Sequence, residues 1–175
     1  MANSTAKRLT FIALMAALAS LGSLLTIFLP NFSMVLAFFL LITTFAGYKY
    51  GGSVMIITIL ISNFRTGGLG PWTLFQIWSY LLILLLWQLF RMTKISQKTW
   101  IQVLIAAALG FSFGFWNAIM NVAFYHLPNF LVYYLQGVYF DLSLCVATGI
   151  FYWLFQRYLL PILFKKVPEI AKRRS

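Results

Sequence analysis

The chain has 175 residues, of which 13 are Lys or Arg and only 2 are Asp or Glu, and 62% are hydrophobic. Charged residues make up 9%, where a soluble domain carries about 25%, so an ordinary globular fold is excluded, and the chain is far too apolar for disorder. A net charge of +11 points to nucleic acid only when a soluble fold displays it, so here it needs another explanation.

The single Cys excludes a disulfide framework within the chain and leaves too few soft ligands for a zinc or iron–sulfur site. The length suits one domain, residues 1–175. Apolar runs separated by short polar joints predict an all-α protein, an integral membrane bundle of six transmembrane helices over roughly 9–29, 33–48, 52–64, 71–91, 100–125 and 137–163. The first run matches a bilayer core of ~30 Å and lacks the small-residue end of a cleavable leader. Pro30-Asn31 closes it. The second run stops at Lys49-Tyr50-Gly51-Gly52, and it and the third are short for full spans, so tilt or extension into the joints is expected. The 65–71 stretch is a loop by composition, with Pro71 placed to open the fourth helix. A basic joint (Arg91, Lys94, Lys98) precedes the fifth run. An aromatic joint from His126 to Gln136 precedes the sixth, and Pro161 precedes a basic tail.

Six helices put both termini on one side. Lys7, Arg8, Lys49, Arg91, Lys94, Lys98, Arg157, Lys165, Lys166, Lys172, Arg173 and Arg174 all fall there, and Arg65 alone falls opposite. The positive-inside rule then predicts cytoplasmic termini in a cell membrane, and the basic residues face lipid and cytoplasm rather than nucleic acid.

Chemistry is sparse. Asp141, Glu169 and His126 are the only acids and the only imidazole, and no phosphate-binding GxxxxGK[ST] loop occurs. Neither catalysis nor self-powered transport is supported, and nothing calls for a cofactor or bound metal. Binding is better supported. Trp72, Gln76 and Ser79 share one face of the fourth helix in its outer half, joined by Tyr80. Asn63 ends the third helix, and Asn117 and Asn121 follow Gly110 and Gly114 in one stripe of the fifth. Gly137, Asp141, Cys145 and Thr148 share a face of the sixth, with Asp141 about one turn inside its outer end. Polar groups at one depth read either as an outward pocket with aromatic walls or as interhelical glue. Asp141 needs a partner, and Arg65 is the only cation on that side, giving a latch or a shared ligand contact. Tyr125, Tyr133, Tyr134 and Tyr139 form an interfacial belt or line the mouth. His126 is a loop residue or, less simply, a metal ligand. On the first helix Ala13, Ala16, Ala17 and Ser20 form a small-residue strip, suited to internal packing or to docking of another membrane subunit.

The segment Ser62-Asn63-Phe64-Arg65-Thr66-Gly67-Gly68-Leu69-Gly70-Pro71-Trp72-Thr73-Leu74-Phe75-Gln76 is similar to an SNF…G-x-GPWT-x-x-Q signature. With its size, six helices and an AxxxA pair at Ala13 and Ala17, the chain resembles the substrate-specific S components of energy-coupling factor (ECF) vitamin transporters, most closely those assigned to cobalamin and related corrinoids. Leu74 stands where that signature often has Pro. The resemblance implies a non-enzymatic vitamin-binding subunit of an ABC-type importer. Its partners would be a membrane coupling protein, docked at Ala13 and Ala17, and two ATPases that hydrolyse the ATP. The substrate residues expected are Asn63, Arg65, Trp72, Gln76, Ser79, Asn117, Asn121, Tyr139 and Asp141. Another vitamin (riboflavin, thiamine, folate, pantothenate or a precursor) and a small non-transport membrane enzyme or assembly protein are the alternatives.

Overall fold

The computed structural model describes residues 2–25 and 31–171. Every regular element among them is helical: α1 (Ala2–Leu25), α2 (Val35–Ala46), α3 (Tyr48–Thr66), α4 (Pro71–Arg91), a 3-10 turn (Lys94–Gln97), α5 (Thr99–Tyr125), α6 (Phe130–Leu154), a π turn (Phe155–Leu159) and α7 (Leu160–Lys166). Among the described residues, four helical stretches are long and apolar enough to cross a membrane: Thr5–Leu24, Pro71–Arg91, Thr99–Tyr125 and Phe130–Lys166. The expected end of the first helix at Pro30 and the basic residues Lys172, Arg173 and Arg174 lie outside the described residues.

Of the two short runs, the third extends into its joints, over Tyr48–Thr66, whereas the second does not and spans Val35–Ala46. It is apolar on every face, and every residue of α2 except Thr44 is buried. It forms the centre of the bundle, touching α1, α3, α4, α5, α6 and α7. It ends earlier than expected, at Gly47, whose φ of 93° suits a residue without a Cβ. The expected joint at 49–52 is therefore the first turn of α3. Gly51 there lets α3 cross against Thr43, where a side chain would collide.

The sixth helix also begins earlier, at Phe130 rather than 137. His126, at φ 51°, closes α5 in the left-handed conformation. The Asn129 side chain then accepts the Val132 N–H at 3.1 Å and caps α6. The joint shrinks to four residues, 126–129, and Asp141 lies about three turns into the helix rather than one.

Towards its far end the same helix loosens into the π turn, where the Leu160 N–H reaches the Phe155 carbonyl. Pro161 explains this: it has no N–H for the Arg157 carbonyl and its ring would press on that turn, so the ladder widens by one residue.

The start of α1 and the segment after α7 meet at one end of the bundle. Lys7 and Glu169 form an ion pair at 2.8 Å, the only one among the described residues, and both side chains are exposed. Such a pair contributes little by itself. Rings do more: Phe45 meets Phe11 at 5.9 Å and Phe164 at 5.1 Å, and Trp87 meets Tyr152 edge-on at 5.0 Å.

Candidate ligand-binding site

α5 and α6 approach closely because glycines remove side chains between them. Thr148 sits against Gly110, and the Asp141 carboxyl occupies the space that a Cβ on Gly114 would fill. Asp141 is 2% exposed, and its Oδ2 accepts no hydrogen bond. Beside it opens a cavity of about 460 Å3, at the end of the bundle opposite the Lys7–Glu169 pair. Asp141, Gly114 and Asn117 line it together with Tyr133, Tyr134 and Phe140, and Asn31 stands at its rim. Asn121 donates to the Asn117 side-chain oxygen at 2.6 Å. That bond orients the Asn117 amide and leaves its N–H groups to serve the cavity.

A buried carboxyl oxygen without a donor is expensive. Among the described residues it has no ion-pair partner. What the cavity offers is thus an acceptor in search of a donor, walled by aromatic rings. This suits a ligand bearing a cationic or amide N–H group next to a flat apolar body.

The other expected site residues lie elsewhere, so the single outward pocket resolves into two clusters. Asn63 donates to Thr73 Oγ1 at 3.0 Å and to Gln76 Oε1 at 2.9 Å. Thr73 in turn accepts the Gly70 N–H at 3.3 Å. Asn63, Thr73, Gln76 and the Gly70 N–H thus bond to one another and clasp the loop between α3 and α4. Ser79 is fully buried and its hydroxyl donates to the Phe75 carbonyl at 2.8 Å, back-bonding on its own helix. Trp72 is 43% exposed and folds its ring over Gly70. Tyr139 is 75% exposed and points away from the cavity that Tyr133 and Tyr134 line. His126 is exposed at the end of α5.

The Asp141–Arg65 pair is not formed. Arg65 donates instead to Ser23 Oγ, at 3.5 Å. The reason is helical phase. Asn63 faces α4, and two residues further on a side chain has turned by about 200°, towards α1. From this clasp we expect Gln76→Ala to lower thermal stability by about 1–2 kcal/mol, by leaving the Asn63 amide with an unused donor. Unfolding of the purified variant measures this, and ligand affinity should stay unchanged.

A second cavity, of about 840 Å3, lies at the end of the bundle that holds the Lys7–Glu169 pair, and no sequence pattern pointed to it. Its polar wall is a connected network. Trp87 Nε1 donates to Thr44 Oγ1 at 3.0 Å, the Tyr152 hydroxyl donates to Gln102 Oε1 at 2.9 Å, and Gln102 Nε2 donates to the Ser96 carbonyl at 2.6 Å. The signal available was a set of glutamines near the ends of apolar helices, at 88, 102 and 156, with Pro161 close by.

Compared with protein-family models, curated proteins and solved structures, the chain matches none.

Proposed function

We propose that the chain is the membrane-embedded S component of an ECF-type vitamin importer, a binding subunit rather than an enzyme. The observation that carries this reading is the buried Asp141 carboxyl, with Oδ2 lacking a hydrogen-bond partner, beside an aromatic cavity at the end opposite the Lys7–Glu169 pair. With the basic side in the cytoplasm, that cavity faces outward, where a scarce nutrient is captured. The subunit then delivers its load by docking on a coupling protein served by two ATPases. Ala13 and Ala17 support this, because both are exposed on the outer face of α1 while Ala16 is buried against the bundle.

A cobalamin-type corrinoid remains the leading substrate from the resemblance of the 62–76 segment. The size of the cavity favours a second reading. About 460 Å3 suits an ordinary small ligand more than a whole corrinoid macrocycle. The Asp141 carboxyl also favours a cationic or amide-rich vitamin such as thiamine over the anions folate and pantothenate. Calorimetric titration of the purified protein with cobalamin, cobinamide, thiamine and riboflavin decides between them; no heat with any of the four would count against vitamin binding. A non-transport membrane enzyme or assembly protein is separated by purification from native membranes, where an ATPase pair and a coupling protein should accompany the chain.

Replacing Ala13 and Ala17 with Leu should leave ligand binding and helix content intact, since both positions are exposed, and should reduce uptake to background. Uptake of labelled vitamin into cells checks this.

A further inference from the structure

The larger cavity lies at the opposite end of the bundle from the candidate vitamin site and shares no lining residue with it. Uncharged hydrogen-bonding side chains make most of its wall. Four glutamines line it: Gln88 near the end of α4, Gln97 from the 3-10 turn, Gln102 from α5 and Gln156 from the π turn. Thr44, Thr93 and Thr99 add hydroxyls, and Met92, Leu160 and Phe164 make an apolar side. Arg91 and Lys94 also line it, and Arg91 is bound into the wall by donating Nη1 to the Ser96 carbonyl at 3.0 Å.

The glutamines divide by what they have left to offer. Gln102 belongs to the wall: its Nε2 donates to the Ser96 carbonyl at 2.6 Å, so its Oε1 accepts, from Tyr152 at 2.9 Å and from Gln156 Nε2 at 3.0 Å. The last bond commits the Gln156 donor and leaves Gln156 Oε1 buried with no hydrogen-bond partner. Gln88 is half-buried, and its amide makes no hydrogen bond among the described residues. Polar groups withdrawn from water are normally paired, so two amides from separate helices with unused capacity beside one cavity point to a partner brought from outside. The π turn that places Gln156 adds to this, since such turns recur at functional sites.

We infer that this cavity is a second binding site, for an uncharged sugar ring: its hydroxyls exchange hydrogen bonds with the Gln88 amide and donate to Gln156 Oε1, and its C–H face lies against Met92, Leu160 and Phe164. A hydroxyl both donates and accepts, and a side-chain amide is its complement because it offers the two roles on separate atoms. An anion only accepts, and would meet acceptors already fixed in the wall at the Ser96 carbonyl, Gln102 Oε1 and Gln156 Oε1. About 840 Å3 lies within the range of small-molecule pockets. The same chemistry is carried by a free sugar and by the head group of a glycolipid. The site is independent of the vitamin reading, since it occupies the other end of the bundle.

The test uses the full chain in a polyoxyethylene detergent, which has no sugar of its own. Glucose is titrated calorimetrically at low and high salt, and retention of glucosyl diacylglycerol against phosphatidylcholine is read by native mass spectrometry. Gln88→Leu, Gln156→Leu and Lys94→Gln are measured alongside, with helical circular dichroism to check each fold. Gln88→Leu removes no bond within the described residues, so its fold should be kept even if Gln156→Leu disturbs the network. Saturable glucose binding supports the site with a free sugar if Gln88→Leu weakens it about tenfold or more while salt and Lys94→Gln leave it unchanged. Selective retention of the glycolipid, lost in Gln88→Leu and without a response to glucose, supports it with a lipid. The proposal is overturned if the wild type holds neither probe better than Gln88→Leu does, or if binding falls with salt and with Lys94→Gln.

Discussion

Asp141→Asn should weaken ligand binding by about 10- to 100-fold, the worth of a hydrogen bond to a charged group, while leaving the fold at least as stable as the wild type. The two signs come from one cause. The carboxyl is 2% exposed with an unsatisfied Oδ2, so in the empty protein it is a cost, and only a donor brought by the ligand offsets it. Asparagine keeps the shape that Gly114 accommodates and removes the charge. Calorimetry for affinity and thermal unfolding for stability read the two effects separately. A variant that binds as tightly as the wild type would assign Asp141 to helix packing and remove the cationic or amide-bearing ligand from consideration. Asp141→Glu is a harsher change, because no slack remains at Gly114 for another methylene.

The largest stability effect is expected at Trp87. Its ring is fully buried, it meets Tyr152 at 5.0 Å and Phe90 at 5.4 Å, and its Nε1 donates to Thr44. Trp87→Ala should cost about 3–5 kcal/mol, because packed neighbours close only partly over the space left. Trp87→Phe keeps most of the ring contacts and loses the donor, for about 1–2 kcal/mol. Chemical unfolding in detergent micelles, followed by helical circular dichroism, gives both values. A Trp87→Ala protein as stable as the wild type would mean that this end of the bundle is held by other contacts.

The elements most legible in the chain were those with local punctuation. Pro71 opens α4 and the run ends at Arg91, as its composition indicated. The joints were harder. Gly51-Gly52 reads as a turn, yet Gly51 serves a close crossing against Thr43 while the single residue Gly47 makes the reversal. The aromatic stretch after Pro128 reads as a loop, yet one side-chain cap at Asn129 is enough to start a helix there.

The site shows the same division. Asn117 and Asp141 were placed on facing stripes by helical spacing, and the glycines between those stripes made the contact close enough to form a cavity. Asn63 and Gln76 were expected at one depth, but depth does not say which way a helix is rotated, and the two side chains face each other. The inner cavity was hidden for a stronger reason. Its glutamines belong to separate elements, and Gln156 enters only through a π turn whose widened ladder departs from regular helical phase.

The central position of α2 bears on how the chain would sit in a bilayer. Its 12 residues extend about 18 Å at 1.5 Å per residue, well short of a hydrocarbon core of ~30 Å. Alone it would leave backbone and end groups stranded in lipid. One glycine joins it to α3, and α1, α3, α4, α5, α6 and α7 pack around it, so in a bilayer its faces would meet protein rather than acyl chains. Adaptation to membrane thickness would then fall to the helices around it.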